Sequence, residues 1–214
     1  MTPLGSAVTI SLTTALCASA LCALAGIPAA CLLALRDFVG KRVVLRALEA
    51  LLAIPTVVVG LGVYALIRRD SWMGGLELLF TPQAIVIGQF VLALPIMVVF
   101  CHSALTSLEG EALDTARTLG VSWGRIACTL VSEARFGIIA AFTATFGRMI
   151  GEVGVSMMLG GNIAGYTRTL TTAIALETAK GEFGLALWLG GILMAIALGV
   201  NLTVGLLRGA EKRA

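Results

Sequence analysis

Charge is what this sequence has least of. Asp, Glu, Lys and Arg make up 13% of its 214 residues, whereas 58% are hydrophobic and the mean hydropathy is +1.00. A water-exposed surface needs about 25–35% charged residues, so an ordinary soluble domain is excluded and an all-α integral membrane protein is expected. Histidine is nearly missing too. His102 stands alone, and nothing beside it completes a metal or nucleophile set. The five cysteines, Cys17, Cys22, Cys31, Cys101 and Cys128, show no Cys-x-x-Cys spacing and mostly sit in apolar runs. They read as small hydrophobes rather than metal ligands or disulfides. A phosphate-binding loop ends in Lys followed by Ser or Thr. Here Lys41, Lys180 and Lys212 precede Arg42, Gly181 and Arg213, so no such loop exists and the chain is not expected to be an enzyme. The net charge of +3 is spread along the chain, which argues against nucleic acid as a partner. The start, MTPLGSAVTISL, lacks a basic n-region, so no cleavable signal peptide is expected.

What is present is a series of long apolar runs. About 20 residues suffice for a helix to cross the hydrocarbon core, and five runs qualify, near 8–35, 47–67, 83–105, 136–161 and 185–207. Pro28 and Pro95 are expected to kink the first and third, and Pro82 to start the third. Pro55, Gly60 and Gly62 interrupt the second. With membrane lipid as the solvent, the chain reads as a single transmembrane domain over 1–214 without internal repeats. The loops at 36–46, 106–135 and 208–214 share one side and hold ten basic residues, against four on the other side. The basic side is expected to be cytoplasmic, which puts the N-terminus outside and the C-terminus inside.

The run Phe136–Gly161 is unusual because it carries Arg148 and Glu152. A charge near the bilayer centre costs roughly 2.5–3.5 kcal/mol on insertion scales and therefore faces a pathway or a partner. Read as one continuous helix, it places Thr145, Arg148, Glu152 and Ser156 on one stripe. A second stripe is small and includes Gly147, Gly151 and Gly154, suited to close helix packing. The polar stripe, with Asn162 just beyond it, is the candidate translocation pathway or gate. Two readings of Arg148 and Glu152 stay open: an ion pair holding helices together, or an arginine that meets a passing anion while the glutamate neutralises or gates it. Asn162 is equally read as a turn residue, and Tyr166–Thr172 as a solvated loop or as an outer gate and docking surface.

Between the third and fourth spans lies the charged connection at about 109–135. Leu113, Ala116 and Leu119, then Trp123, Ile126 and Leu130, recur at helical spacing. This amphipathic pattern covers its apolar face either on its own membrane domain or in a groove of a partner. The stretch DTARTLGVSWGRI resembles the cytoplasmic signature of permease subunits of ATP-binding-cassette importers, usually Glu-Ala-Ala, three residues, Gly. Asp114, Thr115, Ala116 and Gly120 occupy those places, while the Leu-Pro pair that usually follows is replaced by Leu130-Val131-Ser132-Glu133. Downstream, Gly151-Glu152-x-Gly154, Gly161-Asn162-Ile163 and Thr167-Arg168-Thr169-Leu170 are similar to the branch that handles molybdate, sulfate and tungstate, and the continuation LTTAIALETAKGEF is most like the tungstate permease subunit.

The resemblance implies a type I importer transmembrane domain of the MetI-like fold in a bacterial or archaeal cytoplasmic (inner) membrane. It implies a homodimeric pore, with a helix over about 111–119 inserted into each partner ATPase subunit. Glu111, Asp114, Thr115, Ala116 and Gly120 would form the ATPase-coupling site. ATP and magnesium would be held by those subunits and no cofactor by this chain, and an extracytoplasmic substrate-binding protein would deliver the anion. The competing class is an ion-coupled secondary transporter, which usually shows inverted repeats, and none is found. An intramembrane enzyme would need clustered catalytic groups, which the sequence does not supply.

Overall fold

The computed structural model describes residues 3–107 and 122–211, so the coupling residues Glu111, Asp114, Thr115, Ala116 and Gly120 lie outside the described residues. Helix α1 spans Pro3–Leu35 and runs without a break through Pro28. Its Ala15, Ala18, Cys22 and Ala30 are fully buried, spaced by three or four residues or a multiple of four, with Gly26 on the same line. Such a small stripe lets two backbones approach closely within a membrane. The partner is α4, Pro82–Thr106. A Cβ added at Gly26 would lie 2.7 Å from Met97 Cγ of α4. The Cys22 thiol also donates to the Phe90 carbonyl at 3.6 Å. All five cysteines are free, with Cys22, Cys31 and Cys101 buried. As expected, Pro82 opens α4, with the Thr81 hydroxyl accepting from Ala84 N–H as its cap.

The expected second span is two helices. Helix α2 (Lys41–Leu51) and α3 (Thr56–Ile67) meet at a bend of 103°, with Pro55 preceding α3. Pro55 has no N–H to continue the ladder of α2, but its fixed φ suits a helix start. Helix α2 is strongly amphipathic and holds no fully buried residue, and α3 at 1.5 Å per residue is only about 18 Å long.

The expected fourth span is also divided. Helix α5 (Trp123–Glu133) bends by 70° at Ala134 into α6 (Arg135–Ile150). After the interruption Gly151–Val153 comes a short α7, Gly154–Gly160. The stretch between the fourth and fifth expected spans contains α8, Leu170–Ala179, begun by a reciprocal capping box between Thr169 and Thr172. Helix α9 spans Phe183–Glu211. Among the described residues three helices are long and apolar enough to cross a membrane alone, α1, α4 and α9, and the total reaches five when each bent pair counts as one span. Helix α9 is the least covered. Leu187, Trp188, Met194, Leu198 and Leu202 are exposed, as suits lipid or a partner subunit.

Candidate translocation site

The interruption between α6 and α7 is where the buried polar groups gather. Arg148 Nη1 donates to Glu152 Oε2 at 2.6 Å, the short separation of a charge-assisted bond. The two partners differ sharply in environment, since the Arg148 side chain is 40% exposed and that of Glu152 only 2%. The other Glu152 oxygen, Oε1, accepts from Val155 N–H at 3.1 Å. That amide is one of the donors left over when a new helix begins, so one carboxylate joins the end of α6 to the start of α7. The Glu152 backbone carbonyl accepts from the Thr171 hydroxyl at 2.8 Å. Gln89 of α4 donates to the Met149 carbonyl at 3.2 Å, where the α6 ladder ends. Leu170 N–H, at the start of α8, donates to Ser11 of α1 at 2.7 Å. Four parts of the chain are thereby tied to one helix break.

Glycines allow this crowding. A Cβ at Gly154 would stand 2.7 Å from Thr56 Oγ1 and 3.2 Å from Val57 N, so α7 lies directly against the first turn of α3. One at Gly88 would stand 2.3 Å from Leu159 Cδ1 and 2.5 Å from Val155 Cγ1. Gly147 and Gly151 differ. Among the described residues nothing outside the local helix backbone comes nearer than 3.7 Å to a Cβ placed there.

The stripe anticipated from a single helix is not a continuous surface. Spacing of 100° per residue cannot carry from Arg148 to Ser156 across an interruption. Thr145 is fully buried and donates to the Ala141 carbonyl of its own helix. Ser156 is fully buried as well, and its hydroxyl, like Gln89 Oε1, has no hydrogen-bond partner among the described residues. Arg148 is the one member of the stripe that reaches an open face, which it shares with Ala144 and Gly151. At 1.5 Å per residue it lies about 20 Å along α6 from Arg135.

Asn162 is held as a turn residue. Its φ of 53° follows the 68° of Gly161, and Asn tolerates this left-handed region better than most residues. Arg168 clasps it, with Nε donating to Oδ1 at 3.1 Å and Nη2 to its carbonyl at 3.3 Å. Thr167 accepts from Ile163 N–H at 3.0 Å and donates to the Gly160 carbonyl. Tyr166–Thr172 is therefore a hydrogen-bonded connection, not a loose solvated loop. Sequence reasoning missed Ser11 and Thr171. The Thr-x-x-Thr at Thr169–Thr172 was a legible capping signal, but nothing local marks Ser11 as a distant cap. Among the described residues no three His, Cys, Asp or Glu side chains converge as metal ligands.

Comparison with known proteins settles the lineage. Residues 26–208 match the family model described as the inner membrane component of binding-protein-dependent transport systems. The chain belongs to this family. It is 42% identical over 206 residues to a probable anion ABC transporter permease protein of Haloferax volcanii, covering 94% of this chain and 89% of that one. The tungstate uptake system permease protein TupB of Campylobacter jejuni is 39% identical over 165 residues, covering 77% and 69%. The molybdenum transport system permease protein ModB of Escherichia coli is 31% identical over 171 residues, covering 75% of each chain. The fold matches an inward-facing structure of the MetNI methionine ABC transporter with a TM-score of 0.76 at 17% identity, over 97% of this chain and 95% of that one. The binding-protein-dependent permease thus has the MetI-like fold expected from its sequence.

Proposed function

We propose that this permease is the pore-forming subunit of an ATP-driven importer that carries a tetrahedral oxyanion, tungstate, into the cytoplasm. The observation that carries this reading is its likeness, over most of both chains, to permeases whose names specify an anion and tungstate. The geometry supplies a place for the anion. Arg148 is a half-open cation deep in an apolar bundle, and only one of its N–H groups is shown spent on Glu152. A guanidinium has five N–H donors, so the remainder can hold an oxyanion. Glu152, at Arg148's back, lowers the local positive charge and keeps the hold weak, as a path that must release its cargo requires.

In this reading two copies face each other across the path, and the open small face of α6 at Ala144, Gly147 and Gly151 suits that approach. Separate ATPase subunits bind ATP and magnesium and grip the segment around Glu111–Gly120. A binding protein delivers the anion on the side of Asn162 and the Tyr166–Thr172 connection. The bias of basic residues supports a cytoplasmic C-terminus. Reconstituted vesicles holding the permease, its ATPase and its binding protein should accumulate tungstate only with ATP, and excess sulfate should compete poorly. The ModB likeness makes molybdate the second candidate. Uptake of molybdate in preference to tungstate would replace the substrate, and ATP-independent uptake would reject the mechanism.

A further inference from the structure

A groove away from the helix break plays no part in the path. It lies between the end of α1 and the start of α5, encloses about 600 Å³, and is lined by Ile27, Leu32, Ala127 and Val131, with Arg36 and Trp123 at one end. That volume is within the range of ligand sites, roughly 300–1,000 Å³. A second recess of about 430 Å³ shares Leu35, Arg36 and Trp123 and adds Asp37. An apolar slot therefore continues into a polar one past the Arg36–Trp123 pair, in which the guanidinium lies 6.0 Å from the ring centroid.

We propose that this groove binds one anionic phospholipid of the adjoining leaflet, with an acyl chain in the slot and its phosphate on Arg36. Position is the first argument. Arg36 is the first charged residue of the chain and directly follows the apolar span Leu4–Leu35. The groove thus crosses the boundary between hydrocarbon and headgroup, where Trp side chains also settle. Continuity is the second. Leu32 in the groove is 53% exposed and adjoins the open α1 face that carries Leu24 at 75%, a surface that lipid covers. Charge is the third. Asp37 is paired with Lys41 at 3.0 Å, while among the described residues no carboxylate is paired with Arg36, so the Arg36 guanidinium is the cation that faces the recess. Guanidinium matches a phosphate with paired N–H donors, and basic pockets between membrane helices are suited to lipid headgroups. A free inorganic anion would leave the apolar slot unused.

Trp123 is the natural reporter. With Trp72→Phe and Trp188→Phe, both highly exposed positions, it becomes the sole tryptophan. The full chain in vesicles would be titrated with brominated phosphatidylglycerol and, separately, brominated phosphatidylcholine. The anionic lipid should quench Trp123 with about fivefold preference, the factor expected from one basic residue near the surface. Arg36→Gln should bring the preference to near one while leaving phosphatidylcholine quenching unchanged, which also reports an intact fold. Ala127→Phe should fill the slot and weaken quenching by both lipids. Arg42→Gln, outside the groove, should change nothing. Equal quenching by the two lipids, or a loss in Arg42→Gln as large as in Arg36→Gln, would reduce the site to ordinary annular lipid and overturn the proposal. So would no quenching by either, which would mean that protein covers the groove.

Discussion

Removing the Glu152 carboxylate takes away the partner of Arg148 and the acceptor for Val155 N–H in one step, at a site only 2% exposed. Losing one member of a fully buried pair costs on the order of 3–5 kcal/mol, less here because the Arg148 left behind is 40% exposed, so Glu152→Ala should lower the thermal unfolding temperature in detergent. Glu152→Gln keeps an oxygen for Val155 and gives up only the charge. Its loss should be smaller, about 1–3 kcal/mol by the cost of an imperfectly satisfied buried group. A Gln variant as unstable as the Ala variant would show that the cap at α7 contributes little. Removing Arg148 leaves the Glu152 carboxylate, 2% exposed, without a counter-charge, so Arg148→Ala should lower stability as well as transport, whereas Arg148→Lys keeps the charge and should lower stability less.

At the scale of elements, α7 packs closely against the first turn of α3. Gly154→Val would drive a side chain into Thr56 and the Val57 backbone, and overpacking of this kind costs about 1–3 kcal/mol. Hydrogen exchange should then rise in both α3 and α7, and a rise confined to one would contradict the joint. Thr169→Val removes the cap of α8. A lost cap costs typically about 1 kcal/mol, which should appear as faster exchange at residues 171–173. These joints also explain what the sequence made legible. Hydropathy found α1, α4 and α9 because each is one long apolar helix. It joined α2 to α3 and α6 to α7 because a broken span and a straight one have nearly the same composition. Periodicity then set Thr145 and Ser156 beside Arg148 on a helix that is interrupted between them. Gly154 looked like packing from its smallness alone, but that its neighbour is Thr56 follows only from the tertiary fold.

Taken whole, the molecule places the helix bearing Arg148 directly after α5, with only the bend at Ala134 between them. In the proposed function, force delivered to α5 has a short route to the path. In the reconstituted complex, Gly120→Leu should retain ATP hydrolysis and lose most uptake. Normal uptake with the ATPase still bound would remove that residue from the coupling. The central claim is narrower, namely that the oxyanion passes Arg148. ATP-driven tungstate accumulation in vesicles, compared between the native permease and Arg148→Ala, tests it most directly. Losing a hydrogen bond to a charged partner is worth about 1.5–3 kcal/mol. Uptake should fall about ten- to hundredfold while the complex still assembles and hydrolyses ATP, and Arg148→Lys should recover part of it. Uptake at the native rate in an assembled Arg148→Ala complex would contradict the account.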